Sequence, residues 1–179
     1  MNPVRDNRYA ILLRGVNVGG ITVKMAELRD VLADLGLRDV RTLLASGNAV
    51  VTTDWDPAGL KERTEQALRK AFGYEAWVIV LPVYRIAELA GAVPYAGDDP
   101  AVHAYVTFST DPAVLDELFE MGAAAGAEQV RIGPEALAWT VQKGSTLESP
   151  LSKAAAKPRY KSATTTRNLR TLHKIAAAE

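Results

Sequence analysis

The sequence predicts an α+β chain of two tandem ferredoxin-like units, each β-α-β-β-α-β with an antiparallel sheet, and an extra C-terminal helix. Three observations predict it. The length, 179 residues, suits one medium domain or two small ones. Strand-like and helix-like apolar runs follow one another in the split β-α-β order, and that order is met twice. A Gly/Pro-rich stretch, GAVPYAGDDP at residues 91–100, punctuates the two passes. The expected division is residues 1–82 for the first unit, 83–100 for a bridging helix and loop, and 101–179 for the second unit with its closing helix. The halves show no self-similarity in sequence, so the duplication rests on element order alone.

Residues 8–14 read as a strand. Tyr9, Ile11 and Leu13 share one face and Ala10 and Leu12 the other, so both faces are apolar and the strand is expected to be buried on both sides. Met25, Leu28, Val31, Leu32 and Leu35 recur at helical spacing within 24–35, and Gly36 is a good residue to end that helix. Residues 40–44 and 49–53 read as strands joined by ASGN, a hairpin by composition. Asp56 as N-cap and Pro57 in the first turn start a second helix, which runs to about Phe72 with Leu60, Ala67, Leu68 and Ala71 inward. AWVIVL at 76–81 is a continuous apolar strand, and 83–90 a short helix.

The second pass begins with a strand at 102–108. Thr110-Asp111-Pro112 opens a helix through Leu115, Leu118 and Phe119. Strands follow at 129–132 and 136–142, with Gly133-Pro134 between them. Residues 150–157 suggest a short helix, 161–165 a last strand, and 167–178 a closing helix with Thr166 as its N-cap.

Hydrophobic residues make up 48% and charged residues 23%, ordinary for a globular protein. No cysteine is present, which excludes a disulfide scaffold, a thiolate metal site and a cysteine nucleophile. The opening MNPVRDNRY has no apolar core of a signal peptide, and no apolar run reaches a membrane span, so a cytoplasmic location without membrane contact is expected. Charge is uneven. Residues 1–148 hold 14 Lys/Arg and 20 Asp/Glu, a net −6, whereas 149–179 hold 7 Lys/Arg and one acid, a net +6. Such a basic segment either packs on the acidic remainder of its own chain or meets an anionic partner.

The stretch LLRGVNVGG at 12–20 leads from a strand toward a helix. Glycines admit close approach by a ligand, helix-entry amides favour anions, and Arg14 adds a donor fork. Phosphate or carboxylate binding by Arg14, Gly15, Asn17, Gly19, Gly20 and Lys24 is one reading; a tight turn braced by Asn17 is the other. The loop matches neither GxxxxGK[ST] nor GxGxxG. Ser46 and Asn48 of SGN either serve hairpin chemistry or face the same ligand. Thr165, Arg167 and Asn168 of TTTRN either cap a helix or add anion donors. His103 and His173 lack ligand spacing, so neither a metal nor a cofactor is expected. The candidate central strands NAVVTTD and ALAWTVQK lack an RNP pattern, and Trp139 stands alone, which disfavours stacking-based RNA binding.

The segments LLRGVNVGG, KMAELRDVLADLG, VRTLLASGNAVV and TTRN together resemble a bacterial family known only as a domain of unknown function, with LRGINVGG, SGN and TTRN motifs. The resemblance covers nearly the whole chain. It implies tandem α/β-plait units and no established reaction. The chain departs from that family at Ile21-Thr22-Val23, where Asn and Lys are often found, and at Leu169, where Trp is frequent. The expected function is binding of a small anionic ligand in a pocket between the two units, where the three motifs would converge. The alternatives are an enzyme acting on such a metabolite at the same place, or weak non-specific nucleic-acid binding by the basic segment.

Overall fold

Strand β1 (Arg8–Leu13) carries the apolar alternation into the first sheet. The other elements of that sheet are α1 (Met25–Asp34), β2 (Arg38–Leu43), β3 (Asn48–Thr52), α2 (Pro57–Phe72) and β4 (Val78–Pro82). The computed structural model describes residues 7–17 and 21–178. Strand order is β2-β3-β1-β4, and every pair is antiparallel. The register sets Ile11 opposite Ala49 and Val80, and Leu13 opposite Val78. Ile11, Leu13, Ala49, Val51 and Val78 therefore share one face, and they cluster with Leu28 and Leu32 of α1 and Leu60 and Leu68 of α2. Each buried leucine contributes about 1.5–3 kcal/mol through area removed from water. Ala10, Leu12 and Val50, on the opposite face, are buried too, as the doubly apolar pattern of the strand predicts.

Local signals set the ends of α2. Asp56 accepts a hydrogen bond from the Gly59 amide at 2.9 Å, with Pro57 in the first turn, and Gly73 closes the helix in the left-handed conformation at φ 65°. Three charged residues of α2 also reach β4 or the residues just ahead of it. Glu65 accepts from the Val78 amide at 3.1 Å, Lys61 donates to the Val78 carbonyl at 2.7 Å, and Arg69 donates to the Ala76 carbonyl at 3.1 Å. Lys61 and Arg69 both pair with the Glu65 carboxylate. Glu65→Ala is expected to cost about 2 kcal/mol in urea denaturation, because it removes two cation partners and leaves the Val78 amide unpaired. A loss below about 0.5 kcal/mol would show that this arrangement is ornamental.

Helix α3 (Val83–Ala92) leads to the second sheet. There β5 (Val102–Ser109), α4 (Pro112–Ala124), β6 (Gln129–Gly133) and β7 (Ala136–Gln142) precede a single 3-10 turn at Thr146–Glu148. Then come α5 (Pro150–Ala155), α6 (Pro158–Lys161), β8 (Thr164–Asn168) and α7 (Leu169–Ala176). Strand order is β6-β7-β5-β8, again antiparallel throughout, so the topology of the first sheet is repeated. Leu137 and Trp139 of β7 pack with Leu115 and Leu118 of α4, Leu151 and Ala154 of α5, and Tyr160 of α6. Trp139 donates its indole N–H to Thr107 Oγ1 at 3.0 Å, and Thr107 shares a 2.8 Å hydrogen bond with Thr166. The chain divides into two compact units, Met1–Ala87 with Lys174–Glu179 and Glu88–His173. No helix of the described residues is long and apolar enough to cross a membrane.

Several boundaries differ from the sequence reading. The helix expected over 150–157 ends at Ala155, and a separate helix, α6, starts at Pro158, because the residue ahead of Pro158 is held extended. The last strand is 164–168 rather than 161–165. Thr166 is thus not a helix cap but a mid-strand residue opposite Thr107, and Asn168 accepts from the Arg170 amide at 2.9 Å as α7 begins. Strand β2 starts at Arg38 with a register shift before Arg41, where Asp39 takes φ 50°.

Candidate functional site

Beyond β1 the Arg14 amide donates to the Trp77 carbonyl at 3.1 Å, which ties the loop's start to the residue ahead of β4. Asn17 then turns the chain at φ 56°. Its amide donates to the Ile21 carbonyl at 2.6 Å, and its Oδ1 accepts from the Val23 amide at 3.0 Å. Its Nδ2 donates to the carbonyls of Val23 at 3.1 Å and Ala45 at 2.6 Å. Asn17 therefore braces the loop from within and joins it to the β2–β3 hairpin. Gly19 and Gly20 lie outside the described residues. Lys24 precedes α1 in extended conformation, exposed, with its ammonium 3.5 Å from Glu27.

The hairpin loop meets the same end of the first sheet. The Leu13 amide donates to the Gly47 carbonyl at 2.8 Å. Gly47 has φ 84°, and a Cβ there would fall 2.6 Å from Val16 Cγ2 and 2.9 Å from Leu13 Cβ. Asn48 is fully buried and donates from Nδ2 to the Leu43 carbonyl at 2.8 Å and to Ser46 Oγ at 2.9 Å. Ser46 itself is exposed. Leu44, in the same loop, is exposed and held at φ 59°, an uncommon conformation for a residue with a side chain.

In the second unit, TTTRN is strand β8. Thr165 and Arg167 are buried, and the Arg167 Nη1 donates to Thr165 Oγ1 at 2.7 Å and to the Thr166 carbonyl at 2.9 Å. The Asn168 side chain serves the start of α7. Arg14 in the first unit is half-buried, and desolvation lowers the pKa of its guanidinium from the ordinary value without making it neutral. Among the described residues, no three His, Asp or Glu side chains gather so as to hold a metal.

Two clefts involve none of the ligand-binding residues expected from the sequence. The first unit has one of about 570 Å³ between α1 and α2, lined by Val31, Leu35, Gln66 and Lys70, with Arg63 stacked 4.5 Å over Trp55. The second unit has one of about 440 Å³ beside β7, lined in part by Trp139, Thr140, Glu128 and Glu148. Helical spacing of Arg63, Gln66 and Lys70 on α2 hints at the first cleft. No short motif marks the second, whose walls come from four separate segments.

The family model described as "Protein of unknown function (DUF1697)" matches residues 7–137. The chain belongs to this family. The DUF1697 match takes in the LLRGVNVGG loop and the SGN hairpin and ends at Leu137, so TTTRN lies beyond it. Among solved structures, the conserved bacterial protein SP0830 from Streptococcus pneumoniae aligns with a TM-score of 0.73 and 27% identity, over 94% of this chain and 96% of that one. Protein BT0572 from Bacteroides thetaiotaomicron aligns over 93% and 95% of the two chains at 12% identity, with a TM-score of 0.24. The small subunit of acetolactate synthase from Thermotoga maritima aligns over 90% and 96% at 14% identity, also with a TM-score of 0.24. No curated protein is a significant match.

Proposed function

We propose that this DUF1697 chain binds a small phosphate- or carboxylate-bearing molecule at the end of the first sheet, with Arg14 as its anchoring cation. The observation that carries the reading is the half-buried Arg14 guanidinium on a loop that Asn17 and the hairpin already hold in shape. A partly desolvated cation on a braced loop loses little freedom on binding, and its hydrogen bonds to an anion are charge-assisted. Gly15, next to it, is exposed at φ 71° with open space where a side chain would stand, which leaves room for a ligand against the backbone. Lys24 and Ser46, both exposed, supply further donors. Asn17 and Asn48 hold the frame in this reading.

The test is calorimetric titration with inorganic phosphate, adenosine monophosphate and citrate. One of the three should bind, and Arg14→Gln should weaken it by about 1.5–3 kcal/mol with little change in melting temperature. An Arg14→Gln protein that binds unchanged, or that unfolds, sinks the proposal.

A second reading rests on Lys153, Lys157 and Lys161, which are exposed and have no ion pair among the described residues, whereas Arg159 pairs with Glu117. These three would support weak, sequence-independent contact with a nucleic-acid backbone. Double-stranded DNA should then bind only at low salt. The slope of log affinity on log salt should fall by about 0.9 for each lysine removed. Salt-insensitive binding would refute it.

A further inference from the structure

We propose that the cleft beside β7 in the second unit binds a small organic cation, an amine or guanidine carried on an apolar body. Its volume, about 440 Å³, lies in the range of small-molecule sites. Val102, Ala127 and Val141, all partly exposed, give it an apolar floor, and two exposed carboxylates, Glu128 and Glu148, line it as well.

Glu128 follows α4, and two bonds to one residue hold it in place. Its carbonyl accepts from the Thr140 amide at 3.1 Å, and its Oε2 from Thr140 Oγ1 at 3.3 Å. Glu148 ends the 3-10 turn, its amide bonded to the Ser145 carbonyl at 3.1 Å. No lysine or arginine lines the cleft, and neither carboxylate has an ion-pair partner among the described residues. The charge of Glu128 is felt nearby: Tyr95 has its phenol pKa raised by burial first and by Glu128 second.

Other ligand chemistries fit less well. An anion would meet two like charges. The short helix α5 offers little to offset them, since Pro150 lacks an amide proton and the Ser152 amide is taken by Ser149 Oγ at 3.1 Å. A sugar would need an open aromatic face, but Trp139 is only 2% exposed and stacks on Tyr105 at 4.9 Å. An apolar body over the floor, with its cation toward the carboxylates, satisfies both features of the cleft.

The experiment is an NMR titration of the full chain, read at the Trp139 indole N–H and the amides of Glu128, Thr140 and Ser145. The probes are phenethylamine, its charge-reversed analogue 3-phenylpropionate, and glucose. Phenethylamine should give saturable shifts at these groups, at least about tenfold tighter than 3-phenylpropionate. The double variant Glu128→Gln, Glu148→Gln should weaken phenethylamine at least about tenfold while leaving the indole signal of the free protein in place. Four results would each overturn the proposal. They are no saturation by phenethylamine, equal binding of 3-phenylpropionate, glucose shifting the same groups instead, and a double variant that binds phenethylamine as before.

Discussion

Replacing Trp139 by alanine is expected to lower the unfolding free energy by about 4 kcal/mol, the largest single effect the structure points to. The ring is among the largest fully enclosed side chains of the chain, and it packs with Leu115, Leu118, Leu151 and Tyr160. Truncation removes its transfer free energy and leaves a cavity that helices on one side and a sheet on the other cannot close. It also removes the donor to Thr107 Oγ1, a hydroxyl that keeps its other bond to Thr166. Trp139→Phe separates the two contributions. It restores most of the volume and should recover more than half of the loss, with the remainder reflecting the missing indole N–H. Urea denaturation followed by circular dichroism measures both variants. A loss below about 1 kcal/mol for the alanine variant would mean that the core of the second unit is far looser than described.

Gly47→Ala should cost about 2–5 kcal/mol, although it adds a single methyl group. Two penalties combine. A side chain at φ 84° costs about 1–2 kcal/mol, and the new Cβ overlaps Val16 and Leu13, adding about 1–3 kcal/mol of overpacking. Val16 and Leu13 are buried, so neither can step aside cheaply. Ser46→Ala, one residue away and exposed, loses only the bond it accepts from Asn48 Nδ2 and should cost about 1 kcal/mol. Equal effects at the two positions would contradict the geometry. The contrast also separates the two residues' parts in the hairpin: Gly47 is needed by the close packing on Val16 and Leu13, whereas Ser46 contributes the one bond it accepts from Asn48.

What could be read in advance was local. The Asp56-Pro57 and Asp111-Pro112 pairs declare helix starts because a cap and its partner lie within three residues of each other. The doubly apolar β1 announces a central strand, and the β-α-β-β-α-β order leads to the sheet topology. What failed depends on distant partners. TTTRN is polar enough to pass for a cap. Its role as a strand comes from pairing with β5, about sixty residues earlier, although three threonines in a row carry the β-branched signal that could have revealed it. The role of Asn17 was open between ligand contact and turn. Its bond to Ala45, 28 residues on, ties the loop into the fold, and no local pattern shows that bond. Clefts are harder still, since they are spaces left between side chains of separate elements.

The bonds from α2 to Val78 have a consequence for association. β4 is the outermost strand of its sheet, and its outward amide and carbonyl are the groups that a foreign extended segment would pair with. At Val78 both are already taken, by Glu65 and Lys61. An incoming strand would have to displace a charged helix face before gaining its first hydrogen bond. The sheet is thus terminated at that point by its own chain, and neither fibril growth nor peptide capture by strand addition can begin there.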